Sequence, residues 1–286
     1  MIKIGFNTLA WTAVVSDEQF PLLDRLKKIG YDGVECFVGA SDNKAYKRFG
    51  DHARALGLET TAVSVVGKDE NPVDPSPAVR QRGLDRIKWG IDRVHDMGAA
   101  LFCGPLHSAH AFFPRHAPQD QEYGWAAEVL HSAGDHARDA GVTIVLEALN
   151  RFECYLCNTM AQLKRLVDET AHPHVRAMYD THHANIEEKK IRDAIQTIAP
   201  VLVHVHISEN DRGTPGDGHV PWSDNFSALA EIGYDGWMTI EAFSRNDPDF
   251  ANAINVWREY NPPWDIATNG LAFIKAQCKE HGLPTR

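Results

Sequence analysis

The sequence predicts an α/β protein folded as one closed (β/α)8 barrel, a TIM barrel, and three observations predict it. Short β-branched runs alternate with longer stretches of helical period from one end of the 286-residue chain to the other, which is the βα pattern of a parallel sheet. Eight strands, each followed by a helical interval, suit a chain slightly above the roughly 250 residues typical of that barrel. No Pro/Gly/Ser-rich linker divides them, so residues 1–286 read as a single domain.

In chain order the strands fall near 2–7, 33–37, 59–65, 100–104, 142–147, 175–180, 201–207 and 237–241. Each is a short run rich in Val, Ile, Thr or aromatic residues. Helices fill the intervals, for example over 17–29, 77–97, 121–140, 161–170 and 187–198. The pentapeptide IGYDG occurs at 29–33 and again at 232–236, both times between a helix and a strand; its first glycine is expected to close the preceding helix. After the Pro262-Pro263 break, Leu271, Phe273, Ile274 and Cys278 recur at helical spacing, so about 262–286 reads as a C-terminal capping helix.

Composition narrows the function. The chain is 43% hydrophobic and 24% charged with a formal net charge of -10, which repels phosphate backbones and argues against nucleic acid as the main partner. The basic stretch from Arg80 to Arg93 is interrupted by Asp85 and Asp92 and reads as the solvated face of a helix. No run approaches the roughly 18 apolar residues of a membrane span, and the first residues lack the apolar core of a signal peptide, so a cytoplasmic protein is expected. Five scattered cysteines do not suggest a disulfide framework. The lone CxxC at Cys154–Cys157 has no second pair to make it a zinc or redox motif.

The chemistry sits at strand ends. In such a barrel all strands point the same way, and their C-terminal ends ring the mouth where active sites are built. The fifth to eighth strands deliver Glu147, Asp180, His206 and Glu241 there, each about one βα unit from the next. Three converging carboxylates repel one another unless a positive charge lies between them. Carboxylate oxygens plus one imidazole, without thiolate, favour one octahedral divalent ion, with Mn2+ placed first and Co2+ or Mg2+ as alternatives. His204 shares the face of His206 but lies one layer deeper, and is read as supporting or core rather than as a ligand.

Segments spanning nearly the whole chain carry a resemblance. Leu146-Glu147 through Glu153, Tyr179-Asp180-Thr181-His182-His183, His204-Val205-His206-Ile207-Ser208-Glu209 with Arg212, and Ile240-Glu241-Ala242-Phe243 resemble the ketose 3-epimerases. This is the D-tagatose, D-psicose (allulose) and L-ribulose 3-epimerase group of the sugar-phosphate isomerase/epimerase-like barrels. The resemblance implies that Glu147, Asp180, His206 and Glu241 bind the metal and that Glu147 and Glu241 are also the catalytic acid/base pair. It further implies that Glu153, His183 and Arg212 hold the first three oxygens of a free ketose. Phe243, Trp11 and Phe6 are candidates to pack on the sugar, and His107, with Ser64 and Cys103, is a candidate pocket residue. The expected reaction is C3 epimerisation through a cis-enediolate, of the D-tagatose/D-sorbose, D-fructose/D-psicose or L-ribulose/L-xylulose type. The expected partners are a small-molecule ketose and further copies of the chain, as a homodimer or homotetramer. The rival readings are an aldose–ketose or hydroxypyruvate-type isomerase, an apurinic endonuclease, which the charge disfavours, and a non-catalytic sugar-binding module, which leaves two flanking carboxylates unexplained.

Overall fold

The computed structural model describes residues 1–39 and 41–286. Eight parallel strands, β1 (Lys3–Asn7), β2 (Gly33–Phe37), β3 (Glu59–Val63), β4 (Leu101–Gly104), β5 (Thr143–Leu146), β6 (Val175–Asp180), β7 (Leu202–Ile207) and β8 (Trp237–Ile240), close in sequence order. The barrel is sealed by β1 pairing with β8, Lys3 opposite Trp237 and Phe6 opposite Ile240. Around it run α1 (Phe20–Ile29), α2 (Asn43–Ala55), α3 (Pro77–Met97), α4 (Asp120–Ala140), α5 (Met160–Thr170), α6 (Thr181–Glu187), α7 (Ile191–Ile198), α8 (Trp222–Glu231), α9 (Pro248–Ala253) and α10 (Pro263–His281). Among the described residues no helix is long and apolar enough to cross a membrane.

The alternation of each strand sorts its side chains between two layers. On β5 and β6, Ile144, Leu146, Ala177 and Tyr179 pack outward in the shared core with the helices, whereas Val145 and Met178 join a smaller cluster inside the barrel with Val63 and Cys103. The repeated IGYDG works as its sequence suggests. Gly30 follows α1 at φ +111° and Gly233 follows α8 at φ +67°, left-handed conformations that glycine adopts without a Cβ penalty. The tyrosine after each is buried, Tyr31 donating to the Ala267 carbonyl at 2.6 Å and Tyr234 to the Trp237 carbonyl at 2.7 Å.

Three details depart from the sequence expectation. The helix expected over 187–198 starts only at Ile191, as α7, and Glu187 instead ends the separate helix α6, because Glu188 is extended and its carboxylate accepts from the Met160 N–H, 2.7 Å away at the start of α5. The helix α9 was not foreseen; Asp247 caps it by accepting from the Phe250 N–H at 3.1 Å, and Pro248 sits in its first turn. The basic stretch on α3 is not wholly solvated, since Arg86 lies 4.4 Å from the Trp89 ring and donates to the Val38 carbonyl at 2.9 Å.

One packing contact gives a test with a decided sign. Gly50 lies inside α2, where alanine would ordinarily favour the helix by about 1 kcal/mol. A Cβ there would stand 2.0 Å from the Met97 carbonyl oxygen at the end of α3. Backbone cannot yield as a side-chain tip does, so Gly50→Ala is expected to destabilise the protein by about 1–3 kcal/mol in urea unfolding; a stabilised variant would show that α2 and α3 are less closely packed.

Candidate active site

Four neighbouring strands bring four ligand groups to one point. Asp180 is the last residue of β6, His206 lies near the end of β7, and Glu147 and Glu241 immediately follow β5 and β8. One atom of each lies within 4.8 Å of all the others. His206 Nδ1 is 3.5 Å from Glu241 Oε2, 3.6 Å from Asp180 Oδ2 and 3.8 Å from Glu147 Oε1.

The residues around this point fix how the ligands present themselves. Asp180 uses Oδ1 to cap α6, accepting from the His182 and His183 N–H groups at 2.6 and 3.0 Å, and turns Oδ2 to the cluster. His206 Nε2 lies 2.8 Å from Glu35 Oε1. A carboxylate only accepts, so Nε2 carries the proton and, in the neutral ring, the Nδ1 lone pair faces the three carboxylates. Glu35 is fixed in turn by Asn7 Nδ2 at 3.0 Å and Thr61 Oγ1 at 2.9 Å, with His204 Nε2 3.2 Å away.

The donor set fits a divalent cation. His206 Nδ1 and Glu147 Oε1 are buried and have no hydrogen-bond partner, which is costly unless something else engages them. The charges point the same way. Burial raises the Glu147 carboxyl well above its usual range, and the neighbouring Glu241 and Asp180 push it further. Burial alone would lower His206, yet Glu241 and Glu35 outweigh it and hold the imidazole well above its usual value, so that a proton supplies the positive charge the cluster demands. Burial would likewise raise Asp180, but Arg212, His183 and His206 keep it well below.

Above the cluster lies a cavity of about 310 Å³ lined by Glu147, Glu241, Glu153, His183, Arg212 and Phe243, among others. Burial, with Arg212 beside it, pushes the His183 imidazole down to about 3, so it is neutral. Its Nδ1 lies 3.0 Å from the Asn150 N–H and its Nε2 2.9 Å from Arg212 Nη2; both neighbours are donors and the neutral ring has a single lone pair, so the two nitrogens compete to accept. Arg212 Nη1 donates to Glu241 Oε2 at 2.9 Å, Ser208 Oγ at 3.0 Å and Asp180 Oδ2 at 3.2 Å. Phe243 lies under the guanidinium, 4.9 Å away, and its N–H donates to the Arg212 carbonyl at 2.9 Å. Burial would raise Glu153, but His110, His183 and Arg212 hold it well below its usual range as an anionic acceptor, steadied by Asn150 Nδ2 at 2.7 Å.

Three pocket expectations are corrected. Phe6 is fully buried with its ring 5.5 Å from Tyr31, in the layer between barrel and helices; period two explains this, because its neighbour Asn7 is the residue facing inward. Trp11 packs on Phe6 at 5.1 Å and on Trp264 at 4.6 Å, on the outer side of the rim. His107 is sealed beneath the cavity. Burial holds its ring down to about 4, and its Nε2–H donates to the Glu147 carbonyl at 2.8 Å, so it supports the backbone of Glu147 rather than touching a ligand. Ser64 does line the cavity, whereas Cys103 lies buried below it. Cys154 and Cys157 are both buried and free, with Cys154 Sγ 3.2 Å from Ser108 Oγ.

Several residues escaped the sequence reading. Glu35 was one, although a lone charge inside the apolar strand GVECF was a usable signal. Glu209 was another: its buried carboxylate accepts from the Asn210, Gly216 and Val220 N–H groups and from Trp222 Nε1, between 2.9 and 3.2 Å, and so folds the loop that carries Arg212. Arg212 itself sits at φ +64°, a strained value for a residue with a side chain.

A family profile described as a xylose isomerase-like TIM barrel matches residues 23–277. The ketose 3-epimerase of Arthrobacter globiformis is 32% identical over 286 residues, covering 96% of each chain. The D-psicose 3-epimerase of Agrobacterium fabrum is 29% identical over 284 residues, covering 96% of this chain and 98% of its own. The crystal structure of D-allulose 3-epimerase from Methylomonas sp. in complex with D-allulose superposes with a TM-score of 0.90 at 26% identity, covering 96% of this chain and 97% of that one. With this barrel and this rim, the chain belongs to the xylose isomerase-like TIM barrel family and, within it, to the group of the ketose 3-epimerases.

Proposed function

We propose that the protein is a metal-dependent epimerase that interconverts free ketoses at C3. The observation that carries the reading is the approach of Glu147 and Glu241, from strands three places apart, to one cavity beside the Asp180–His206 pair. Its full-length relatives carry ketose 3-epimerase names.

Inverting C3 requires a proton to leave one face of a carbon next to a carbonyl and another to arrive on the opposite face. Glu153 is the acceptor for a sugar hydroxyl, Arg212 donates to the oxygens at the C1–C3 end, and His183 Nε2 faces them beside it. One of Glu147 and Glu241 takes the C3 proton, leaving the electron pair in a cis-enediolate across C2 and C3. The other, protonated, delivers to the far face and is left ionised; exchange with solvent resets the pair, and the reverse reaction swaps their roles. Held by Glu147, Asp180, His206 and Glu241, a divalent ion, Mn2+ before Co2+ or Mg2+, supplies Lewis acidity that stabilises negative charge on the ketose oxygens. Arg212, paired with two carboxylates, is the only Lys or Arg among the described lining residues. It leaves no cation free for a phosphate, which favours an unphosphorylated sugar.

In D2O the metal-loaded protein should place deuterium at C3 of a ketose as its epimer forms; label confined to C1 with an aldose product would mark an aldose–ketose isomerase instead. Glu147→Gln and Glu241→Gln should each lower kcat by about 10²–10⁴-fold while the variants remain folded by circular dichroism, and full activity in either would remove that residue from the acid/base role. Glu35→Gln should weaken metal binding by roughly 10–100-fold, read by competition with a chromogenic chelator independently of turnover; unchanged affinity would show that Glu35 does not orient His206.

A further inference from the structure

The cavity has two chemically different halves. Strands β5 to β8 and their loops supply its polar side: Glu147, Glu153, His183, Arg212 and Glu241. The ends of strands β2 and β3, the turn after β1 and the α9 segment supply the other, where Leu9, Phe37, Val63, Val65, Phe250 and Ile254 present apolar side chains. The few polar side chains near that second half are already engaged. Ser64 Oγ donates to the Val38 carbonyl at 2.6 Å. Asn7 Nδ2 is divided between Glu35 and Glu241 at 3.0 and 3.3 Å, and Asn7 Oδ1 accepts from the Leu9 N–H at 3.0 Å. Both ring nitrogens of His107 are taken, by Ser108 Oγ at 3.0 Å and the Glu147 carbonyl. His110 lines the cavity on the other side, 4.0 Å from Glu153.

We propose that the preferred substrate is a ketose whose far end carries no hydroxyl, a 6-deoxyketohexose, because the half of the cavity that receives C4 to C6 is apolar while every sugar-binding polar group stands on the opposite side. This rests on the epimerase reading, which puts C3 between Glu147 and Glu241 and the C1–C3 oxygens on Glu153, His183 and Arg212. The rest of the chain then has only the apolar half to enter. A terminal methyl group meets Phe37, Phe250 and Ile254 there, whereas a terminal hydroxyl gives up its water and finds no side-chain partner in exchange. A shorter ketose would leave those side chains without contact, and each lost contact weakens binding. Phe250 lies in α9 and Ile254 directly follows it; both are half-buried, so the wall that reads the sugar tail is added by an element outside the barrel proper. Phe250 is anchored to the polar side through Phe243, with ring centroids 5.6 Å apart.

The test compares matched pairs that differ only at C6: D-fructose, D-tagatose and L-tagatose, each beside its 6-deoxy form, with the metal-loaded protein in D2O. The rate of deuterium entry at C3 gives kcat/KM for each sugar. In the pair that turns over fastest, the deoxy member should lead by roughly 10- to 100-fold, the scale on which an apolar pocket discriminates against one group. Ile254→Asn, which sets an amide in the wall at a half-exposed position, should narrow that ratio by improving the hydroxylated sugar relative to the deoxy one. Equal kcat/KM within the pair, preference for the hydroxylated sugar, or a ratio unmoved by Ile254→Asn would overturn this inference and leave the epimerase standing. No exchange at C3 in any of the six sugars would overturn the epimerase reading and this inference with it.

Discussion

Three carboxylates held around one imidazole nitrogen are the constraint to which the rest of the mouth responds. Two like charges about 4 Å apart repel by about 4 kcal/mol at an effective dielectric constant of 20, and Glu147, Asp180 and Glu241 crowd one another within 4.8 Å. Left uncompensated, such a cluster would protonate or spring apart. Arg212 offsets part of the charge by donating to both Asp180 and Glu241. Asp180 is further relieved by the N-terminus of α6, whose N–H groups it caps. What remains meets at Glu147 Oε1 and His206 Nδ1, two atoms of the cluster that are buried without a hydrogen-bond partner. A divalent ion would answer that residue of charge, and the contact of the opposite nitrogen with Glu35 turns the imidazole toward the place it would take.

The scaffold produces this arrangement through ordinary barrel geometry. Parallel strands closing in sequence order put the ends of β5 to β8 side by side, so residues far apart in the chain meet at hydrogen-bonding range. The strained backbone of Arg212 is sustained by Glu209, which gathers three backbone N–H groups and one indole N–H around a single carboxylate. Order in that loop fixes where the guanidinium points, and the guanidinium in turn sits against Phe243. The polar half of the cavity is therefore rigid and hydrogen-bonded, whereas its apolar half is assembled from strand ends and a short added helix. On the proposed reading, that division would separate the chemistry, common to any ketose with the same first three carbons, from recognition of the sugar's tail.

Much of this was legible in the sequence, for reasons that also explain the omissions. The eight strands announce themselves because buried parallel strands read as β-branched runs, and a charged residue at the end of such a run stands out, as Glu147 and Asp180 do. Glu35 is as important to the site but sits in mid-strand, where a single carboxylate looks like an edge residue until the barrel closes and His206 arrives from β7. Phe6 was misplaced although period two held the answer: once Asn7 reaches Glu241, Phe6 must face the helices. Residues of the turns, such as His107, have no periodicity to follow, and α9, only six residues long, leaves too short a pattern to read.

The central claim is that one cation occupies the point where these four groups converge. Anomalous diffraction from crystals grown with Mn2+ tests it directly. The account predicts one strong peak per chain, with His206 Nδ1 and an oxygen from each of Glu147, Asp180 and Glu241 at roughly 2.0–2.6 Å, the span of hard divalent ions on oxygen ligands. A peak held by other residues, or four side chains that remain apart with no peak between them, would contradict it.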